Sequence, residues 1–168
     1  MQDFLRDVGK RLPGMKADLP TEAQWEYACR AGSETAFSWG KDIDPAQANC
    51  NFGEGRGKTV PVKSYAPNGW GLYQMHGNVW EWCADGLRDY DYETQTDPRG
   101  PEWDKPVPPC AVRGGSWLGD LPALRAACRN QRPRSDRHVS RGFRFHMKSM
   151  SPEACAECPP EVVVARDA

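Results

Sequence analysis

The stretch "LPTEAQWEYACRAG", residues 19–32, decides how the rest of the chain is read. Thr21 stands where a helix N-cap belongs, and Gln24, three residues on, completes a capping box. Gly32 supplies a stop. Between them Trp25, Ala28 and Cys29 share one helical face for burial against a core. Upstream, "DFLRDVGKRL" spaces Phe4, Leu5, Val8 and Leu12 for a shorter first helix.

Beyond Gly32 the helical period disappears. Residues 33–70 are polar pieces broken by Gly, Pro and Asn, with "TVPVKSY" (59–65) the one strand expected among them. "VWEWC" (79–83) has the period of two that marks a strand, and "CAVRGGSW" (110–117) and "RGFRFHM" (141–147) are the other strand candidates. "DYDYETQTDPRGPEWDKPVPP" (89–109) reads as a long polar loop. Two early helices followed by short strands and long loops define an α+β fold. The Pro- and Glu-containing end has no periodicity, so residues 1–147 are expected to form one domain and 148–168 a disordered tail.

Composition narrows the function. The 168 residues suffice for one core, and 27% charged residues with no long apolar run argue against membrane insertion. A net charge of −1 argues against a general nucleic-acid binder. The start, "MQDFLRDVGKRLPGMK", is too charged for a secretory leader, so a cytoplasmic or particle-associated location is expected. Seven cysteines, an odd number, then imply reduced thiols. Cys29 and Cys83 read as core thiols, and Cys50 and Cys110 as loop residues that could pair. "CAEC" (155–158) has redox or zinc spacing without a second pair, and reads as inert. Sixteen glycines and fifteen prolines agree with a loop-rich fold.

Four phrases in order, "LPTEAQWEYACRAG", "NGWGLYQMHGNVWEWCAD" (68–85), "RGGSW" (113–117) and "GFRF" (142–145), resemble the formylglycine-generating enzyme, or sulfatase-modifying factor, family. The resemblance covers residues 3–146 and implies a C-type-lectin-like fold of two helices, short twisted antiparallel strands and extensive loops. Members that make formylglycine bind copper through two cysteines after the Gly-Gly-Ser turn. The corresponding positions here are Gly119 and Leu124, and neither residue can ligate a metal. Cys128 lies further on and is alone. A branch that makes sulfur–carbon bonds uses iron held by three histidines, but His76, His138 and His146 lack ligand spacing. The resemblance thus leans away from an enzyme, with neither copper nor iron expected. It does imply a calcium site built from Gln74, the carbonyls of Gly77 and Val79, and Glu81, a set of hard oxygen donors. A second calcium site near "NCNFGEG", using Asn49 and Glu54, aligns loosely. The competing reading of Glu81 is a structural pair with an arginine.

With its thiols gone, the segment between "GGSW" and "GFR" becomes a binding surface in this reading. From Arg113 to Arg144 it holds eight arginines against Asp120 and Asp136, and guanidinium forks suit carboxylate or phosphate. Some of them, Arg125 and Arg129 in particular, are expected to turn inward toward acids such as Glu81 or Asp85.

Relatives of this fold include variable proteins of diversity-generating retroelements, whose randomised residues lie in this segment. An Asn codon randomised at its adenines cannot encode Lys, Glu, Gln, Met or Trp. From Leu118 to Arg141 there is no Lys, Glu, Met or Trp and a single Gln. Those four absent types make up 29 of the 168 residues, so roughly four would fall in this segment by chance. The displayed set would be Trp117, Leu118, Gly119, Asp120, Leu121, Ala123, Cys128, Asn130, Arg132, Ser135, Arg137, His138 and Val139. The expected function is non-catalytic binding of a protein or glycan. A divergent oxidoreductase, or a fragment of a longer enzyme of the family, is the alternative.

Overall fold

A computed structural model describes residues 1–52, 56–90, 93, 95–101 and 109–150, together with the strand at 162–165. Helix α1 (Gln2–Arg11) leads into β1 (Met15–Asp18), and α2 (Glu22–Arg30) follows. The strands β2 (Trp80–Gly86), β3 (Cys110–Arg113), β4 (Arg129–Arg132), β5 (Arg141–Ser149) and β6 (Val162–Ala165) complete the chain. The sheet runs β1-β5-β2-β3-β4, with β6 also paired to β5. Every pairing is antiparallel except that of β2 with β5, so the sheet is mixed where antiparallel strands alone were expected.

Helix α2 forms as its capping residues dictate. Thr21 Oγ1 accepts from Gln24 N, and Gln24 Oε1 accepts from Thr21 N. The helix ends one residue earlier than Gly32 suggested, with Ala31 itself in the left-handed region.

Period-two alternation then sorts the core. Trp80 and Trp82 of β2, Cys110 and Val112 of β3, and Phe143 and Phe145 of β5 gather on the face that α1 covers through Leu5. Phe4 adds edge-on contacts to Phe143 and Phe145. The intervening residues meet α2, where Cys83 and Ala111 pack with Trp25, Cys29 and Met75. Burying side chains such as Leu5, Val112, Phe143, Phe145 and Met75 contributes roughly 1.5–3 kcal/mol each. A third cluster, Phe37, Ala48, Cys50 and Leu124, lies under the loops.

Three expectations are corrected. "TVPVKSY" is not a strand: Val60 N donates to Asn78 Oδ1 while Asn78 Nδ2 donates to Val60 O, so one side chain stands in for a neighbouring strand. Pro61, which has no N–H, then starts a turn closed by Ser64. Cys50 and Cys110 do not pair; Cys29, Cys50, Cys83, Cys110 and Cys128 are all free thiols. Within the expected tail, Lys148 and Ser149 continue β5 and Val162–Ala165 pairs with it. "CAEC" and Glu54 lie outside the described residues. Among the described residues no helix is long and apolar enough to cross a membrane.

Candidate functional site

The site is built on the turn after β3. Gly114 and Gly115 have φ of 91° and 76°, a region that penalises a side chain. A Cβ on Gly114 would also stand 3.0 Å from the Trp25 ring, and one on Gly115 3.0 Å from the Ala123 carbonyl. The turn can therefore lie tight against α2 and the following loop. It is fastened to the "MHGN" segment by Gly77 N to Gly114 O (2.7 Å) and Trp117 N to Asn78 O (3.0 Å). Asn51 N reaches Gly119 O at 3.1 Å.

From this anchor residues 117–141 run along the surface. None of the thirteen residues expected to be displayed is fully buried. Leu118, Asp120, Ser135, Arg137, His138 and Val139 are exposed; Trp117, Gly119, Leu121, Ala123, Cys128, Asn130 and Arg132 are half-buried. Leu118 and Val139 keep 44% and 71% of their area in solvent. The segment includes a short 3-10 turn, Leu121–Leu124, and then β4, whose outward residues sequence patterning could not mark.

The two positions that hold copper-binding cysteines in the enzymes differ physically. Gly119 is half-buried within the turn, its N–H bonded to Ser116 O at 2.8 Å. Leu124 is 1% exposed and packs with Phe37, Ala48 and Cys50. A leucine thus fills the inner position and makes it core. The thiol of half-buried Cys128 is pushed up by burial, against the pull of Arg113 and Arg125.

His76 lies directly behind this plug. Its Nε2 accepts from Ser38 N at 3.1 Å, which leaves the proton on Nδ1 to donate to Leu124 O at 2.6 Å. Burial lowers its pKa to about 4, so the ring is neutral at pH 7. Cys29 Sγ lies 3.5 Å from Nε2, and burial pushes that thiol up to about 12, so it stays protonated at pH 7. This dyad holds α2, the Ser38 loop and the Leu124 loop together.

The residues expected to bind calcium are occupied in part. Glu81 takes Arg144 through both oxygens, at 2.6 and 2.8 Å, and Trp25 Nε1 at 2.7 Å. Three N–H groups leave about one of the four carboxylate lone pairs for another partner. The structural reading of Glu81 is therefore correct in itself. Gln74 Oε1, in contrast, is buried with no hydrogen-bond partner, as a ligand oxygen awaiting a cation would be. The donor set accommodates a hard cation only if Glu81 is shared with Arg144.

Six of the eight arginines divide by partner as follows. Arg113, 0% exposed, meets Glu26 and the Cys128 carbonyl; Arg144 meets Glu81. Arg129 grips Glu22 bidentately at 2.5 and 2.6 Å, and Arg141 and Arg132 reach Asp136 at 3.2 and 3.9 Å. The inward turn of Arg129 was expected, but its acid is Glu22; Asp85 instead accepts from the backbone N–H groups of Glu22 and Gly100. Arg125 points outward and holds only its own turn, at Pro122 O. Sequence reasoning missed a groove formed by α2, Asp85, Arg88, Tyr90 and Pro98. Its residues are too far apart along the chain for any spacing to signal it.

Two helices on a mixed sheet, with a long loop surface after a double-glycine turn, define a C-type-lectin-like α+β domain. Residues 3–148 match the family described as the sulfatase-modifying factor enzyme 1-like domain, and the chain belongs to that family. It is 41% identical over 130 residues to the formylglycine-generating enzyme of Streptomyces coelicolor, an alignment covering 68% of this chain and 38% of that enzyme. The chain thus spans about two fifths of that relative's length. Among solved structures, Treponema denticola variable protein 1 superposes with a TM-score of 0.68 at 32% identity, covering 77% of this chain and 47% of that one. PvdO from Pseudomonas aeruginosa gives a TM-score of 0.74 at 30% identity, covering 88% and 58%.

Proposed function

We propose that the chain is a non-catalytic binding module that recognises a protein or glycan through residues 117–141. The observation that carries this reading is the pairing of an open loop surface with a closed catalytic position. Leu118 and Val139 stand exposed, while Leu124 is locked into core where the enzymes place a thiol. Exposed aliphatic side chains beside outward arginines are the composition of a recognition face. The likeness to a protein named variable protein, with the missing Lys, Glu, Met and Trp, supports diversification of this surface by a retroelement.

The test is binding to glycan and displayed-peptide arrays, comparing the native chain with a Leu118→Asp, Val139→Asp variant. Expected are discrete binders for the native chain, lost in the variant at an unchanged melting temperature. Oxygen-dependent turnover of a cysteine-containing peptide by the copper-treated protein overturns the reading. The limited coverage of the longer enzyme favours one second reading, a piece of a larger family protein.

Calcium at Gln74, Gly77, Val79 and Glu81 belongs to the same proposal, supported by the orphaned Gln74 oxygen. Calcium at a hundredfold its dissociation constant should stabilise by about 2.7 kcal/mol, read as a rise in melting temperature that Gln74→Leu abolishes. No rise at millimolar calcium removes the ion from the reading.

A further inference from the structure

Away from the 117–141 surface, the outer side of α2 forms one wall of a groove of about 300 Å³. It is lined by Glu22, Ala23, Glu26, Tyr27 and Arg30 of the helix and by Asp85, Arg88, Tyr90 and Pro98 opposite. That volume suits a ligand the size of an amino acid.

The three carboxylates of the groove are already taken. Glu22 holds Arg129 through both oxygens. Glu26 takes Arg30 on one oxygen and Arg113 on the other. Asp85 accepts one backbone N–H on each oxygen, from Glu22 and Gly100, at 2.8 Å. Of the cations, Arg113 and Arg129 sit behind the floor, and Arg30 is held by Glu26 and the Thr35 carbonyl. Arg88 differs. It is half-buried, donates to the Asp89 carbonyl at 3.3 Å, stands 5.8 Å from the centroid of the Tyr90 ring, and makes no ion pair among the described residues. Four cations therefore stand against three carboxylates, and the unmatched one is on the wall.

Tyr27 and Tyr90 flank the groove at 68% and 66% exposure. Tyr90 is held from behind by the Arg129 guanidinium, 4.2 Å from its ring centroid, and Tyr27 by Trp70, edge-on at 4.9 Å. Two braced rings and one spare guanidinium fork suit an apolar body that carries a single negative charge. A phosphate dianion fits worse, because its second charge faces three carboxylates.

We propose that this groove is a second binding site, for a small carboxylate with an apolar body, gripped by Arg88 between Tyr27 and Tyr90. The carboxylate belongs either to a free acid or to an acidic side chain of a peptide.

The test is an amide-resolved NMR titration with benzoate, benzamide, inorganic phosphate and an acetylated, amidated Ala-Glu-Ala peptide. Benzoate or the peptide should bind at about millimolar concentration, shifting Ala23, Glu26, Tyr27, Arg88 and Tyr90. Benzamide and phosphate should bind at least about tenfold more weakly. Arg88→Gln, whose native-like spectrum is checked first, should weaken the carboxylate about tenfold, and Arg88→Lys by less. Tighter binding of benzoate supports a free acid as the ligand, and tighter binding of the peptide supports a partner's side chain. Equal binding of benzamide, insensitivity to Arg88→Gln, or shifts on residues 117–141 instead would overturn the proposal. The loop-surface reading is tested separately, through Leu118→Asp and Val139→Asp, so failure of the groove leaves that test standing.

Discussion

The two faces of the sheet are held by opposite chemistry. Under α1 the contacts are Trp80, Trp82, Val112, Phe143 and Phe145, all apolar. Under α2 the same strands contribute Cys83 and Ala111 to a smaller apolar cluster, and beside it Glu81, Arg113 and Arg144, each buried. An apolar face tolerates imperfection because its attraction is non-directional. A buried ionic face does not, since each guanidinium needs its carboxylate in one geometry. The double-glycine turn and the loop surface spring from the α2 side, through Arg113 and the contact of Gly114 with Trp25. The rigid, direction-specific face therefore carries the candidate site.

The sharpest way to break this contrast is Arg144→Leu. Glu81 and Arg144 side chains are 4% and 2% exposed, so removing the cation strands a buried carboxylate. A loss of about 3–5 kcal/mol is expected by denaturant unfolding. Adding Glu81→Gln should recover a large part of it, because the stranded charge goes with it. A loss under about 1 kcal/mol would mean that the α2 face is not organised by this pair.

A second, somewhat smaller effect comes from protons. The folded pKa of His76, about 4, lies below its ordinary value of 6.5. Between those values the unfolded chain binds a proton that the folded chain refuses. Stability is therefore complete above about pH 6.5 and falls as pH drops toward 4, by about 3 kcal/mol in all. His76→Asn should lower stability at pH 7 and flatten this slope. An unchanged slope would assign the acid sensitivity to another group.

On the apolar face Leu5→Ala should cost about 2–3 kcal/mol, with no dependence on pH between 4 and 7. Leu5 is 5% exposed on the inner side of α1 and belongs to the apolar cluster. A pH-dependent penalty would show that the two faces are coupled through the sheet.

What the sequence made legible follows the same division. Helix α2 could be read because its capping box is local, and β2, β3 and β5 because large apolar residues alternate along them. β1 and β4 could not. "MKAD" buries only Ala17, and "RNQR" has no apolar residue; β4 is held by its backbone ladder to β3 and by the Arg129–Glu22 pair. The thirteen surface residues were legible as a segment, bounded by two recognisable phrases. The partners of its arginines were not, because Arg129–Glu22, Arg113–Glu26 and Arg144–Glu81 join residues 107, 87 and 63 positions apart.

That point yields the smallest predicted effect and the finest test of the comparison. Arg125 and Arg137 are of the same residue type as Arg113 and Arg129 and lie in the same stretch of chain. Among the described residues, however, their guanidiniums bond only to backbone carbonyls beside them, Pro122 for Arg125 and Arg134 and Asp136 for Arg137. An exposed guanidinium serving its own turn adds almost nothing to stability, since water replaces the bond. Arg125→Gln and Arg137→Gln should each change unfolding free energy by less than about 0.5 kcal/mol. Arg129→Gln, which removes both of its hydrogen bonds to Glu22, leaving only Arg113 at 3.7 Å, and uncovers Tyr90, should cost several times more. If all three cost the same, the distinction between scaffold arginines and displayed arginines fails.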